Sequence, residues 1–160
     1  MVVVSEPNTK SLMVLRALFA AVVAAVVAIG VAVAILGDMK EGDDEPTGVA
    51  LAIVAGVGCL TLLLRRVVSR PLDPSSPASL AATYRTRLIL RLAVAESAAL
   101  IAFAIGMSLG PWWVYYLGAA FAFVGMAMAA PTQRNLGRDQ DALSLAGHEL
   151  SLLDALSGPP

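Results

Sequence analysis

Residues 17–36 read ALFAAVVAAVVAIGVAVAIL, a run of twenty residues without one polar side chain. A helix of about 20 apolar residues crosses the roughly 30 Å hydrocarbon layer of a bilayer. The apolar core of a cleaved signal peptide is shorter, about 7–15 residues, so this run predicts an uncleaved span. The stretch therefore places the chain among integral membrane proteins.

Three further runs have the same character: Gly48–Leu64, Leu92–Leu109 and Trp112–Ala130. Lipid offers no partner to backbone polar groups, so spanning segments are helices or closed barrels, and these runs lack the alternation of barrel strands. The composition agrees, since only 14% of the residues are charged, against about 25% in soluble domains. We predict an all-α, polytopic membrane protein with four transmembrane helices.

The basic residues predict an orientation. Ten of the eleven lysines and arginines precede the first span, separate the second from the third, or follow the fourth. Lys40 alone lies in the loop between the first two spans, among five acidic residues. Loops rich in lysine and arginine remain in the cytoplasm. We therefore expect cytoplasmic N and C termini. Arginine outnumbers lysine nine to two and alanine is abundant, a bias that suggests a GC-rich bacterial genome and hence a multi-pass protein of the bacterial inner (plasma) membrane.

This topology divides the chain into three parts. Residues 1–16 form a cytoplasmic N-terminal segment, residues 17–130 form a four-helix transmembrane bundle with a cytoplasmic loop at 65–91, and residues 131–160 form a cytoplasmic tail with short helices. Nearly all polar sequence then faces the cytoplasm. This distribution argues against a receptor with an external ligand pocket.

The loop before the third span has two expected parts. Pro71, Pro74 and Pro77 recur at every third position, which is typical of a stiff extended connector. Ser79 can cap a helix, and apolar residues at four-residue spacing then lead into the span. The pattern predicts one long helix, Leu80–Leu109.

Three arginines of this long helix are candidates for contact with phospholipid headgroups, because they would lie at headgroup depth on the cytoplasmic side. They are Arg85, Arg87 and Arg91.

Glu96 lies just inside the third span. A carboxylate within a membrane is energetically costly and is a functional-site candidate for that reason. It could take up and release a proton as part of a carrier. It could also be structural, by hydrogen bonding across helices or by meeting Arg65 or Arg66 of the second span.

The tail predicts two short helices, Gln133–Ala146 and Glu149–Leu156, separated by Gly147. Helices of this length are marginal alone in water and need a surface on which to fold. That surface could be the bundle, the membrane or another subunit. The candidate residues for docking to a partner are Leu152, Leu153 and Leu156.

Small residues recur at every fourth position in each span. Such ridges let helix backbones approach closely in lipid. We expect them to pack the bundle and expect other flat faces to dock against another protein. The sets are Ala20, Ala24, Ala28 and Ala32; Gly48, Ala52 and Gly56; Ala98, Ala102, Gly106 and Gly110; and Gly118 and Ala122.

No catalytic, metal or cofactor motif is present in the sequence. The lone Cys59 excludes an intrachain disulfide and a cysteine-rich metal site. We therefore expect a protein that is not an enzyme, with no cofactor, no metal and no nucleic-acid partner.

The tail also carries a resemblance. Its segments APTQRNL (130–136), RDQ (138–140) and ELSL (149–152), followed by Ala155 and Leu156, are similar to the tail of small four-span membrane proteins of actinobacteria. The resemblance implies an accessory subunit of a Mce-type lipid importer. We accordingly expect a non-catalytic accessory or assembly subunit that binds larger membrane-protein subunits. The alternative is a small proton-coupled or substrate-binding carrier that uses Glu96.

Overall fold

The structure is a computed structural model that describes residues 10–37, 47–68, 71–108, 111–148 and 150–157. These residues form helices and short connections, with no β-strand in the described ranges, so the predicted all-α class is confirmed. The helices are α1 (Lys10–Gly37), α2 (Thr47–Val68), α3 (Pro77–Ser108), α4 (Val114–Ala129), α5 (Gln133–Leu145) and α6 (Leu152–Ser157).

Three of these helices are long and apolar enough to cross a membrane, through the segments Leu12–Gly37, Gly48–Arg65 and Pro77–Ser108. The shorter α4 has 16 residues, or about 24 Å at 1.5 Å per residue. It meets α5 at a bend of 56°, and counting this bent pair as one span raises the number of membrane-crossing segments to four.

The closest helix pair is formed by α3 and α4, which pack through small residues. A Cβ atom placed on Gly118 would lie 2.2 Å from the Cβ of Ala102 and 2.6 Å from the carbonyl oxygen of Ala98. A Cβ on Gly125 would lie 2.8 Å from the Cβ of Ala95. Glycine at these two positions therefore permits the close backbone approach that membrane helices use for packing.

The other two long helices pack on different faces of this pair. One core cluster joins Val26 and Val33 of α1 to α3 and α4, and a separate cluster joins Ala50 and Val54 of α2 to the same two helices. Among the described residues, α1 and α2 make no extensive contact with each other. The long helices thus form three layers, α1, then α3 with α4, then α2.

The start of α3 differs from the sequence expectation. The helix begins at Pro77, and its cap is Ser76, whose Oγ accepts a hydrogen bond from the backbone N–H of Ser79 at 3.1 Å. The Ser79 Oγ in turn accepts a hydrogen bond from the backbone N–H of Ser76 at 3.0 Å. Ser76 and Ser79 therefore form a reciprocal capping box, in which Ser79 is the third residue of the helix and proline occupies the favoured first position.

The connector before α3 contains a turn at residues 74–75. The Asp73 carboxylate accepts a hydrogen bond from the N–H of Ser75 at 3.0 Å. The N–H of Asp73 donates to the Oγ1 of Thr83 at 3.3 Å. The short polar side chains satisfy backbone groups locally, and this favours a turn over the extended form.

The two predicted tail helices are present, with ends that differ from the expectation by a few residues. Gly147 has a φ of 82° and ends α5, as predicted. The N–H of Gly147 donates to the carbonyl of Ser144 at 3.0 Å, and that of His148 donates to Leu143 at 3.1 Å. This pair of bonds is a Schellman cap, in which a left-handed residue that favours glycine closes the helix.

Candidate functional site

Charged side chains from α2, α3 and α5 lie close together at one end of these helices. This arginine cluster consists of Arg65, Arg87, Arg91 and Asp139. Arg87 and Arg91 are one helical turn apart on α3 and so share a face. The Asp139 carboxylate of α5 lies 3.3 Å from Arg87 Nη2 and 3.9 Å from Arg91 Nη1. All three side chains of these ion pairs are largely covered, at 15–16% exposure.

Arg65 is the member of the arginine cluster that α2 contributes. Its Nη2 donates a hydrogen bond to the carbonyl of Met128 in the last turn of α4. Arg87, Arg91 and Asp139 lie within electrostatic range of its guanidinium. The cluster therefore holds three guanidinium groups and one carboxylate from three helices.

The Asn135 side chain forms hydrogen bonds with backbone carbonyls at the end of α4. Its side-chain amide donates to the carbonyl of Ala130 at 2.9 Å and to that of Met128 at 3.3 Å. The last carbonyls of a helix have no intrahelical donor, and leaving them unpaired in an apolar setting is costly. Asn135 and Arg65 thus stabilise the turn between α4 and α5. Sequence reasoning missed Asn135, and its only sequence signal is its place shortly after Pro131.

The three arginines predicted to contact headgroups do not form one surface. Arg85 is exposed, whereas Arg87 and Arg91 point into the arginine cluster. Residues two positions apart point in directions about 200° apart around a helix axis, so Arg85 and Arg87 lie on nearly opposite faces of α3. Headgroup contact stays a prediction for all three, and Arg85 alone is openly placed for it.

Glu96 is half-buried on α3. Among the residues that the structure describes, no hydrogen bond or ion pair reaches its carboxylate. Arg65, one of its two expected partners, instead bonds the Met128 carbonyl, and the side chain of Arg66 lies outside the described part. The structure thus places Glu96 apart from the arginine cluster.

The tail packs on its own chain, because α6 contacts both α3 and α1. Leu152 is 0% exposed and Leu156 is 1% exposed, whereas Leu153 is 54% exposed. The Gln140 side chain joins the two tail helices, since its Nε2 donates to the Leu150 carbonyl at 3.2 Å and its Oε1 accepts from the Leu152 N–H at 2.6 Å. Of the three leucines predicted to dock a partner, only Leu153 is open to one in this arrangement.

The small-residue ridges divide into two classes. The described members of the α3 and α4 ridges are buried and pack the central pair, as expected, while Gly110 lies outside the described residues. The ridge of α1 (Ala20, Ala24, Ala28 and Ala32) and the ridge of α2 (Gly48, Ala52 and Gly56) are exposed along their whole length. A Cβ on Gly48 or Gly56 would meet no atom within 4 Å. The expectation that every ridge packs the bundle was therefore wrong for these two helices.

An apolar groove of about 380 Å³ lies between α1 and α4. Two tyrosines of α4 border it, with Tyr115 buried and Tyr116 partly exposed. Their hydroxyls donate to α1 carbonyls, Tyr115 to Val26 at 2.6 Å and Tyr116 to Gly30 at 3.1 Å. Both tyrosines therefore join α4 to α1 through hydrogen bonds.

The described residues contain no group of three or more histidine, cysteine, aspartate or glutamate side chains that could hold a metal ion. Cys59 and His148 are both exposed. No protein-family model, curated protein or solved structure matches the chain.

Proposed function

We propose that the protein is a non-catalytic accessory or assembly subunit of a larger complex in the bacterial inner membrane. In this proposal α1, α2, α3 and α4 each cross the bilayer, and both termini lie in the cytoplasm. The ten-to-one division of basic residues supports the orientation. The arginine cluster is consistent with it, because it gathers basic side chains at the end of the long helices that would face the cytoplasm.

The observation that carries the proposal is the exposure of the α1 and α2 ridges. Lipid is as apolar as a leucine side chain, so membrane helices associate through close packing rather than through a hydrophobic drive. The buried ridges of α3 and α4 show that this chain uses small residues for such packing. The two exposed ridges offer the same geometry to helices of another subunit.

The tail also supports a docking role, through one exposed leucine. The tail is folded on α1 and α3, so its buried leucines stabilise the subunit, while Leu153 remains available to a partner. Lipid import is the setting that we propose, and only the resemblance of the tail to small actinobacterial proteins favours it.

Purification of the native protein in mild detergent, with mass spectrometry of what accompanies it, tests this proposal. An Ala24→Leu/Ala28→Leu variant adds bulk to the exposed α1 ridge. An Ala104→Leu/Ala120→Leu variant makes the same change at exposed alanines outside the ridges. We expect larger membrane subunits to accompany the native protein and the control but to be lost from the ridge variant. A native protein that runs alone or as a homo-oligomer in several mild detergents would refute the proposal.

A second candidate is a small proton-coupled or substrate-binding carrier. The observation that favours it is the half-buried Glu96 carboxylate, to which no described side chain supplies a hydrogen bond or a counter-charge. Ionisable groups within membrane helices commonly mark proton or substrate paths. Proton or substrate uptake by the purified protein in sealed vesicles, lost in Glu96→Gln, would favour the carrier over the accessory subunit.

A further inference from the structure

The arginine cluster has the donor groups for an anion richer in oxygens than a carboxylate. Arg87 contacts the Asp139 carboxylate through Nη2 at 3.3 Å. Its Nε atom, on the same edge of the guanidinium, is buried and has no hydrogen-bond partner among the described residues. An arginine edge that binds an anion in the bidentate manner uses both of these groups. Asp139 therefore uses only part of the edge that Arg87 presents.

The second contact of Asp139 is weaker than the first. Its other carboxylate oxygen lies 3.9 Å from Arg91 Nη1, which is beyond hydrogen-bond distance. Arg65 of α2 brings a third guanidinium to this end of the bundle, where its Nη2 bonds the Met128 carbonyl. One carboxylate thus contacts two guanidinium groups that lie one turn apart on α3, and the third lies within electrostatic range of them.

We propose that the arginine cluster is a binding site for a phosphate group and that the Asp139 carboxylate occupies this site in the structure. A phosphate carries more acceptor oxygens and more negative charge than a carboxylate, and the planar arginine fork matches it. It could accept from the Nε and Nη2 of Arg87 together while approaching Arg91. Binding would displace Asp139 and loosen the hold of α5 on α3.

The position of the cluster suggests two sources for the phosphate. Arg91 directly precedes the apolar run of α3, and Arg65 directly follows that of α2. Basic side chains at such a boundary meet the phosphates of anionic lipids. A phosphate-bearing solute could reach the same place from water. The inference does not depend on the proposed accessory role, since it concerns groups within this chain.

The test compares two aspartates of α5. Asp139→Asn removes the resident carboxylate, while Asp141→Asn makes the same change in charge at an exposed position two residues away. The full-length protein is placed in phosphatidylcholine nanodiscs with and without phosphatidylglycerol, and bound phosphatidylglycerol is measured by native mass spectrometry. Inorganic phosphate binding is measured separately by titration calorimetry.

We expect Asp139→Asn to bind one or both of these ligands at least about threefold more tightly than Asp141→Asn, because a competing carboxylate has been removed. Gain for phosphatidylglycerol alone identifies a lipid headgroup as the ligand, and gain for inorganic phosphate identifies a site open to solutes. Equal binding by the two variants to both ligands would overturn the proposal.

A second pair of variants keeps the test valid if Asp139→Asn does not fold. Arg91→Gln changes the cluster and Arg85→Gln changes an exposed arginine of the same helix, each with the native tail. We expect Arg91→Gln to weaken binding about tenfold, the loss of one charge-assisted contact, and Arg85→Gln to weaken it far less. Equal losses in the two variants would show that only net charge matters and would overturn the proposal.

Discussion

The hydroxyl of Tyr115 donates a hydrogen bond of 2.6 Å to the backbone carbonyl of Val26, 89 positions earlier in the chain. The ring of Tyr115 is buried, and its neighbour Tyr116 makes a similar bond of 3.1 Å to Gly30. Both acceptors lie on α1, whose contact with α3 and α4 is otherwise limited. The two tyrosines therefore contribute directly to holding α1 against the rest of the protein.

Replacing Tyr115 by phenylalanine should loosen α1. The ring would still fill its place, but the hydroxyl that reaches Val26 would be lost, at a cost of about 1 kcal/mol, typical of a hydrogen bond between membrane helices. Tyr116→Phe is the control, because its bond is longer and its side chain is partly exposed. Thermal unfolding in detergent should show a larger decrease for Tyr115→Phe. A larger decrease for the control would contradict this account of the α1 contact.

Gly118 and Gly56 should respond oppositely to alanine. A Cβ on Gly118 would clash with Ala102 and Ala98, and such overpacking costs about 1–3 kcal/mol. A Cβ on Gly56 would meet nothing within 4 Å. We expect Gly118→Ala to lower the melting temperature and Gly56→Ala to raise it slightly, because alanine loses less conformational entropy than glycine in a helix. If Gly56→Ala nevertheless reduces co-purification of other subunits, the α2 ridge is where they dock. Equal melting temperatures for the two variants would contradict the packing of α3 on α4.

Leu152 and Leu153 are adjacent but should tolerate charge very differently. Leu152→Asp would bury a carboxylate under α6 and should destabilise the tail by at least about 2 kcal/mol, whereas Leu153 is more than half exposed. Limited proteolysis should cleave the tail readily in Leu152→Asp and slowly in Leu153→Asp. Reduced co-purification of other subunits with Leu153→Asp alone would assign a docking role to this leucine. Rapid cleavage of both variants would contradict the observed placement of α6.

The proposed orientation can be tested with cysteine labelling. Cys59 is first replaced by alanine, and single cysteines are then introduced at Asp43 or Ser75. The positive-inside rule places Asp43 outside the cell and Ser75 in the cytoplasm. In intact cells, a membrane-impermeant thiol reagent should label the cysteine at 43 and not the one at 75. The reverse pattern would overturn the orientation while leaving the helices as described.

The helices themselves could be predicted from the sequence. The long apolar runs and the break at Gly147 predicted α1 to α6 with errors of a few residues at most ends, because length, periodicity and caps are local properties. The predicted start of α3 was three residues late because both Ser76 and Ser79 can cap a helix. Which serine becomes the cap depends on the turn next to Asp73. The regular spacing of the prolines predicted an extended connector and gave no sign of that turn.

Much less of the candidate site could be predicted from the sequence. Small residues at every fourth position look alike in all four long helices, and only the arrangement of the helices shows that the α1 and α2 ridges face outward. The contact of Asp139 with Arg87 and Arg91 joins residues about 50 positions apart through a turn that no sequence pattern specified. The headgroup prediction grouped Arg85 with these two because sequence spacing alone does not reveal which arginines contact Asp139.

Glu96 separates the two proposed functions, and its replacement by glutamine is the most direct test. Glutamine keeps the size and hydrogen-bonding capacity of a protonated glutamate but cannot titrate. For an accessory subunit, we expect expression, co-purification and stability in Glu96→Gln to match the native protein, with the free energy of unfolding changed by less than about 0.5 kcal/mol. Ser97→Ala, at the adjacent half-buried position, serves as a control, since its hydroxyl bonds only the Val94 carbonyl in its own helix. Loss of proton-coupled uptake in Glu96→Gln but not in Ser97→Ala, with stability unchanged, would favour the carrier, because titration of the carboxylate would then be the property that was removed.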